Sequence, residues 1–231
     1  KPDLIIVLGD RYEIFSAVSA AMVSRIPVAH LHGGEATEGL IDESIRHSIT
    51  KMSHLHFTAT EEYRKRVIQL GEQPKNVFNV GGMGIDNIKK LPLLGRKKFQ
   101  EVIDFSLGEK TFLITFHPVT LEKSTAKTQI INLLMALEEF DNCNYIFTKA
   151  NSDTDGRIIN QMIDDFADKH RDRSVTFFSM GQLRYLSALK YVDVVIGNSS
   201  SGLSEVPTFK IPTINIGDRQ KGRMKASSVI D

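Results

Sequence analysis

The sequence predicts an α/β protein of two doubly wound domains that face each other across a cleft. Short apolar runs alternate with amphipathic stretches along most of the chain, the pattern of a parallel sheet covered by helices. The alternation weakens once, over 86–108, where lysines, Pro92, Gly95 and Gly108 interrupt it. Glycines and ionisable residues recur just after the apolar runs, where open α/β sheets bind ligands. The domains are therefore expected at 1–92 and 111–231, with a linker over 93–110.

Each element has a local reason. Residues 4–8 are a continuous apolar run bounded by Asp3 and Gly9, hence a buried strand. Ile14, Phe15, Val18, Ala21 and Met22 fall at helical spacing, so 11–25 is helical until Pro27. Val28–Leu31 reads as a strand, 42–52 as a helix with Asp42 as its N-cap, and 55–58 as a strand. Residues 61–70 form a helix closed by Gly71, and 77–80 a strand. In the second block, strands are expected at 112–116, 145–148, 175–178, 192–196 and, last, 213–216. Helices are marked by Ile130 to Phe140, by Ile158 to Phe166, and over 182–189.

Composition excludes several classes. Lys plus Arg is 29 against 28 for Asp plus Glu, a net charge of +1, which gives no electrostatic case for nucleic acid or an anionic membrane as partner. No apolar run approaches the roughly 18–20 residues of a membrane span. The single cysteine, Cys143, precedes a strand and rules out an intrachain disulfide or a multi-cysteine metal site. A cytoplasmic protein is expected. The chain enters a strand directly after Lys1-Pro2-Asp3 and ends at Asp231 without a closing helix. That reads as a piece of a longer chain, with its first domain incomplete.

The chemistry should lie just past the strands. Asp10 and Arg11 follow the first, and His30, His32 and Glu35 accompany a Gly-rich turn after the second. Asp42, Arg46 and His47 come next, then His117 before Pro118, Asn151, the run Gly197–Gly202 with Glu205, and finally Asp218-Arg219. Carboxylates and imidazoles converging at one edge suit proton abstraction and return. The glycines and serines of 197–202 suit a diphosphate at a helix start, and Glu205 suits a ribose diol; helix capping fits the same residues. Arg11 beside Asp10 suits phosphate, and capping by Asp10 next to a solvated arginine fits equally. His30/His32 and His54/His56 are i,i+2 pairs, each sharing one strand face. Neither has the spacing of a zinc or iron site, so no metal is expected. No GxGxxG follows a strand, and neither a Walker A sequence nor a GxSxG elbow occurs, so no cofactor is signalled.

Seven segments stand out: LGDRYEIFS (8–16), HLHGGEATEG (30–39), IDESIRHSITKMSHLHF (41–57), TEEYRKRVIQLGE (60–72), FHPVT (116–120), GNSSSGLSEVP (197–207) and INIGDRQKGR (214–223). Together they resemble one family, the hydrolysing UDP-N-acetylglucosamine 2-epimerases of bacterial sialic acid synthesis. The resemblance implies the GT-B architecture of two Rossmann-like domains and homodimers or homotetramers. It also implies a reaction without a cofactor. A base takes the C2 proton of UDP-N-acetylglucosamine, UDP leaves C1, and water adds with C2 inverted, giving N-acetylmannosamine and UDP.

By the same resemblance Asp10, Asp42 and His117 are catalytic. Ser199 and Ser200 hold phosphate, Glu205 the ribose and Arg219 the diphosphate, with Arg11, Arg46 and Asn151 as further substrate contacts and Phe178–Leu183 facing uracil. One departure stands out. Several relatives carry glutamate where this chain has His32, so His32, Glu35, Asp42 and Asp10 all remain candidates for the C2 base. The 231-residue piece alone is expected to be poorly active. Three other readings stay open: a non-hydrolysing epimerase, a GT-B glycosyltransferase, and a sugar-nucleotide-binding module without catalysis.

Overall fold

The computed structural model describes residues 2–38, 40–119, 126–151 and 155–231. Gly39 and Thr120, the last residues of two motif segments, lie outside the described residues, as does Lys1. The chain divides into two compact units, one of residues 1–86 with 221–223, the other of 87–220 with 224–231.

The first unit runs β1 (Ile5–Leu8), α1 (Tyr12–Val23), β2 (Val28–Leu31), α2 (Asp42–Met52), β3 (Leu55–Thr58), α3 (Glu61–Gln69), β4 (Val77–Asn79) and the start of α4 (Met83–Lys90). Its four strands pair in parallel in chain order, β1-β2-β3-β4. Register sets Val7, His30, His56 and Val77 side by side in a buried row. Val7 in this row packs with Val18, Ala21, Val28 and Ile49, so α1 and α2 cover that face. At about 25 cal/mol per Å² of buried apolar surface, such a cluster is the main stabilising term of the unit.

The second unit runs α5 (Arg96–Ile103), β5 (Lys110–Thr115), α6 (Ala126–Glu138), β6 (Cys143–Thr148), α7 (Gly156–Lys169), β7 (Ser174–Phe177), α8 (Gly181–Ala188), β8 (Val194–Gly197), α9 (Ser201–Ser204), β9 (Thr213–Asn215) and β10 (Val229–Ile230). Its six parallel strands stand in the order β10-β9-β8-β5-β6-β7. The chain therefore winds outward from β5 in one direction, then returns to wind the other way from β8. The β5/β8 pair is a topological switch point, where adjacent strand ends part and leave a crevice. Ile114, Phe116, Ile130, Tyr145, Phe147, Ile159 and Phe166 form the core against which α6 and α7 close.

Several expectations need correction. The segment 93–110 is no linker: α5 lies in it and buries Phe99 and Ile103 in the second unit. There Phe99 meets Tyr191 at 5.9 Å between ring centroids, and the Tyr191 hydroxyl donates to Leu94 O at 2.7 Å. The second unit also gives up 221–223 to the first. Strand 213–216 is not the last, because β10 adds to the edge beside it. Cys143 opens β6 rather than preceding it. Asp42 is not a cap but the first residue of α2, whose N-cap is Ile41. His32 has left β2 and adopts φ +63°, so it does not share a strand face with His30.

Candidate functional site

In the first unit, the strand ends converge on one buried guanidinium. Arg46, on the inner face of α2, is 1% exposed. Its Nε donates to Asp10 Oδ2 at 2.9 Å, its Nη2 to the same oxygen, and its Nη1 to Glu35 O at 2.9 Å. Arg46 therefore lies beneath the site, where it positions the residues after β1 and β2. Its expected role as a substrate contact is corrected accordingly. The turn after β2 needs its glycines: Gly34 has φ +81°, and a Cβ there would lie 2.4 Å from Tyr63 O.

His30 anchors the β1 turn. Its Nε2 meets Gly9 O at 3.1 Å and its Nδ1 meets Thr50 Oγ1 at 3.2 Å. The carbonyl only accepts, so Nε2 carries the proton and Nδ1 accepts from the threonine hydroxyl. Burial, against the Gly9 bond that opposes it, drives the imidazole pKa down from 6.5 to about 4. The unfolded chain thus binds this proton first as pH falls. The stabilisation is complete above pH 6.5 and is lost toward pH 4. Between pH 7.5 and pH 5 the loss should be about 2 kcal/mol. Burial also lowers His56 and His47, which adds to the same trend. Unfolding free energies of the protein and of His30→Gln at the two pH values test this; equal losses in both would refute the assignment.

Beyond β2, His32 Nδ1 lies 3.1 Å from Glu35 Oε1, and Glu35 Oε2 lies 2.6 Å from Arg223 Nη1. Burial pushes the Glu35 carboxyl up, but the His32 hydrogen bond and the charges of Arg223 and Arg46 outweigh it and leave it below its ordinary range. Asp42 is half-buried at the start of α2, and Arg11 reaches outward to Glu13 at 3.4 Å.

In the second unit, a cavity of about 470 Å³ opens at the β5/β8 switch point. Of the expected residues, His117, Asn151, Ser199 and Glu205 line it, and so do Phe178 to Gln182. The helix after β8 is a single turn, too short for a strong dipole, so an anion here would rely on hydroxyls and backbone N–H groups. Ser200 sits at its N-cap without lining the cavity. Arg219 is buried, and its Nη1 donates to Asn198 O at 3.1 Å, on the loop that carries Ser199.

Three features escaped sequence reasoning. Fully buried Asn198 grips His117 through both backbone groups, at 2.7 and 2.8 Å, and Asn151 N donates to His117 Nδ1 at 3.3 Å. That leaves the neutral ring's proton on Nε2. Ser201 donates to Glu205 Oε2 at 2.5 Å, so Tyr185, 2.6 Å from Ser201 Oγ, donates to the serine. Burial and the nearby Glu205 charge raise the Tyr185 pKa and keep that proton in place, against the Ser201 hydrogen bond. Lys149 is 8% exposed, pairs with Asp164 at 2.7 Å, and lies 4.1 Å from the centroid of the Phe178 ring. Gly197–Gly202 was the signal for the first two features; nothing local announced Lys149.

Among the described residues no group of three His, Cys, Asp or Glu side chains is placed to hold a metal ion, and no helix is long and apolar enough to cross a membrane. Residues 1–230 match the UDP-N-acetylglucosamine 2-epimerase family. The chain belongs to this family. It is 46% identical over 231 residues to the GDP/UDP-N,N'-diacetylbacillosamine 2-epimerase (hydrolyzing) of Campylobacter jejuni, covering 100% of this chain and 60% of that protein. It is 49% identical over 230 residues to the polysialic acid biosynthesis protein P7 of Escherichia coli, covering 99% and 58%. A solved UDP-GlcNAc 2-epimerase from Neisseria meningitidis, bound to UDP-GlcNAc, superposes with a TM-score of 0.80 at 20% identity, over 95% of this chain and 60% of that one. At that identity the likeness establishes the fold alone, α/β with parallel sheets of the GT-B kind expected. The chain spans about 60% of the length of these family members.

Proposed function

We propose that the complete protein is a hydrolysing 2-epimerase of UDP-activated 2-acetamido sugars that supplies N-acetylmannosamine or a related sugar for nonulosonic acid synthesis. The observation that carries this reading is the 46% identity, along the whole chain, to a relative named as a hydrolysing 2-epimerase. The cavity supports it. A ribose diol fits Glu205, whose second-unit site is stiffened by Ser201 and Tyr185, and the diphosphate fits the hydroxyls and N–H groups of 199–201. His117, held by Asn198, would act at the sugar carbon that loses UDP. The C2 base belongs to the first unit, where Asp10, His32, Glu35 and Asp42 are the candidates. Loss of the C2 hydrogen and of UDP gives a glycal, and addition of water restores the oxidation state, so the net reaction needs no redox partner. A second reading keeps the chemistry and changes the sugar to a diacetamido one, as the name of the Campylobacter relative, a GDP/UDP-N,N'-diacetylbacillosamine 2-epimerase (hydrolyzing), suggests.

The test is product analysis in heavy water with both UDP sugars. Free N-acetylmannosamine with deuterium at C2, plus UDP, supports the first reading, and turnover of the diacetamido sugar alone supports the second. UDP-N-acetylmannosamine as product, or UDP binding without C2 exchange, would overturn both. For binding alone, UDP at a hundredfold excess over Kd should stabilise the second unit by about 2.7 kcal/mol. A Ser199→Ala, Glu205→Ala double variant should lose that shift.

A further inference from the structure

We infer that His32 is the group that takes the C2 proton, with Glu35 as the carboxylate that orients it and Arg223 as the cation that holds Glu35. This rests on the reaction proposed above and names the base within it.

The hydrogen bonds assign the protons. Met83 N lies 3.4 Å from His32 Nε2, and a backbone N–H only donates. Nε2 is therefore the acceptor, and the proton sits on Nδ1, which donates to Glu35 Oε1. A neutral imidazole in this tautomer presents a basic lone pair at Nε2 and has a carboxylate behind it to stabilise the cation formed on protonation. The Met83 contact is long and weak, so the N–H has to give up Nε2 only at the moment the C2 proton arrives. Met83 follows Gly81 and Gly82 after β4, and a Cβ on Gly81 would meet nothing within 4 Å. The His32 side chain is 26% exposed and reachable.

Glu35 is unsuited to the same task. Both of its oxygens are engaged, one by His32 and one by Arg223, and its side chain is 11% exposed. The pairing and charges that hold its carboxyl below the ordinary range make it a weak base. The charged groups around the pair are Arg46 from α2 and Arg223 from the 221–223 segment; α4 contributes the Met83 N–H. The left-handed backbone of His32, φ +63°, is an uncommon setting for a side chain and turns the ring back toward Glu35, three residues on.

In the step, the C2–H bond breaks and its proton joins Nε2. The freed electron pair becomes the C1=C2 bond while the C1–O bond breaks and UDP leaves with that bond's electrons. The product is an imidazolium paired with Glu35.

The experiment combines nitrogen NMR of His32 with kinetics of His32→Asn, Glu35→Gln and Arg223→Lys. Asparagine tolerates the left-handed backbone, so His32→Asn keeps the turn. It should lower kcat by about 10²- to 10⁴-fold while KM and UDP binding stay unchanged. Glu35→Gln should lower kcat by about ten- to a hundredfold at unchanged KM, and should release His32 from the Nδ1–H tautomer. Arg223→Lys, which keeps the charge but not the guanidinium geometry, should lower kcat by less than Glu35→Gln does. A wild-type imidazole with its proton on Nε2, or a His32→Asn protein that exchanges the C2 hydrogen within tenfold of wild type, would overturn the inference. Absence of C2 exchange in the complete wild-type protein would instead overturn the reaction reading, and the NMR would still decide the pairing.

Discussion

Replacing Arg46 with leucine should lower the unfolding free energy of the first unit by about 3–5 kcal/mol, the cost typical of breaking a buried pair by removing one partner. The physical reason lies in what leucine leaves behind. Glu35 O loses its donor inside a buried turn, and the Asp10 carboxylate loses both N–H groups that reach its Oδ2. Asp10 is 24% exposed and can recruit water, which places the loss toward the lower end of that range. Arg46→Lys should cost less than leucine but more than a surface change. An ammonium keeps the charge, yet it cannot reproduce a fork that serves two acceptors on separate turns.

A double-mutant cycle with Asp10→Asn separates the pair from the packing. If the ion pair matters, Arg46→Leu should cost less when Asp10→Asn is already present, with a coupling of about 0.5–3 kcal/mol. Equal costs in both backgrounds would mean that Arg46 acts through Glu35 O and its own bulk. The chain has no tryptophan, and its two units need not unfold together. Hydrogen exchange at the β2 amides, which reports the first unit alone, is therefore the measurement to use. Activity should fall with stability, since one guanidinium holds both the Asp10 carboxylate and the backbone that carries Glu35.

The alternation of strand and helix was legible because a parallel strand is a short, nearly continuous apolar run with turn residues at each end. That logic located β1 to β9 to within about two residues. It missed α4, which runs into the lysine-rich stretch read as a boundary, α5, whose buried residues are only Phe99 and Ile103 set among charged neighbours, and β10, which is two residues long. The rule that ligands meet the carboxyl ends of strands selected Asp10, His32, His117 and Ser199. The same rule could not tell a residue that faces the site from one that supports it from behind. Arg46 and Arg219 are expected at the substrate from sequence, and their burial follows from contacts with residues far along the chain, Asp10 for one and Asn198 for the other. The Glu35–Arg223 pair is beyond local reading for the same reason: its partners come from opposite ends of the sequence and meet only because 221–223 packs in the first unit.

Gly197→Ala is expected to destabilise the second unit by about 4 kcal/mol or more, among the largest effects of any single methyl group in the protein. Gly197 ends β8 with φ +136°, a conformation L side chains rarely adopt. A Cβ there would lie 1.9 Å from Thr115 O and 2.7 Å from Thr115 C, which belong to the backbone of β5 and not to a side chain that can swing away. Relief requires β8 to part from β5 at the switch point. That would break the Asn198 N–H bond to Thr115 O at 3.1 Å and pull Asn198 from the His117 backbone. Two controls isolate the steric term. Gly181 has φ +64° with nothing within 4 Å of a Cβ, so Gly181→Ala should cost only the conformational strain, about 1–2 kcal/mol. Gly95, at φ −68° and also in open space, should lose only its small advantage over alanine as the N-cap of α5, about 0.5–1 kcal/mol. Thermal melts of the three variants, with and without UDP, give the comparison. If Gly197→Ala melts like Gly181→Ala, strands β5 and β8 are looser than their register implies, and the tight apposition that seats His117 over the cavity is not what holds that residue.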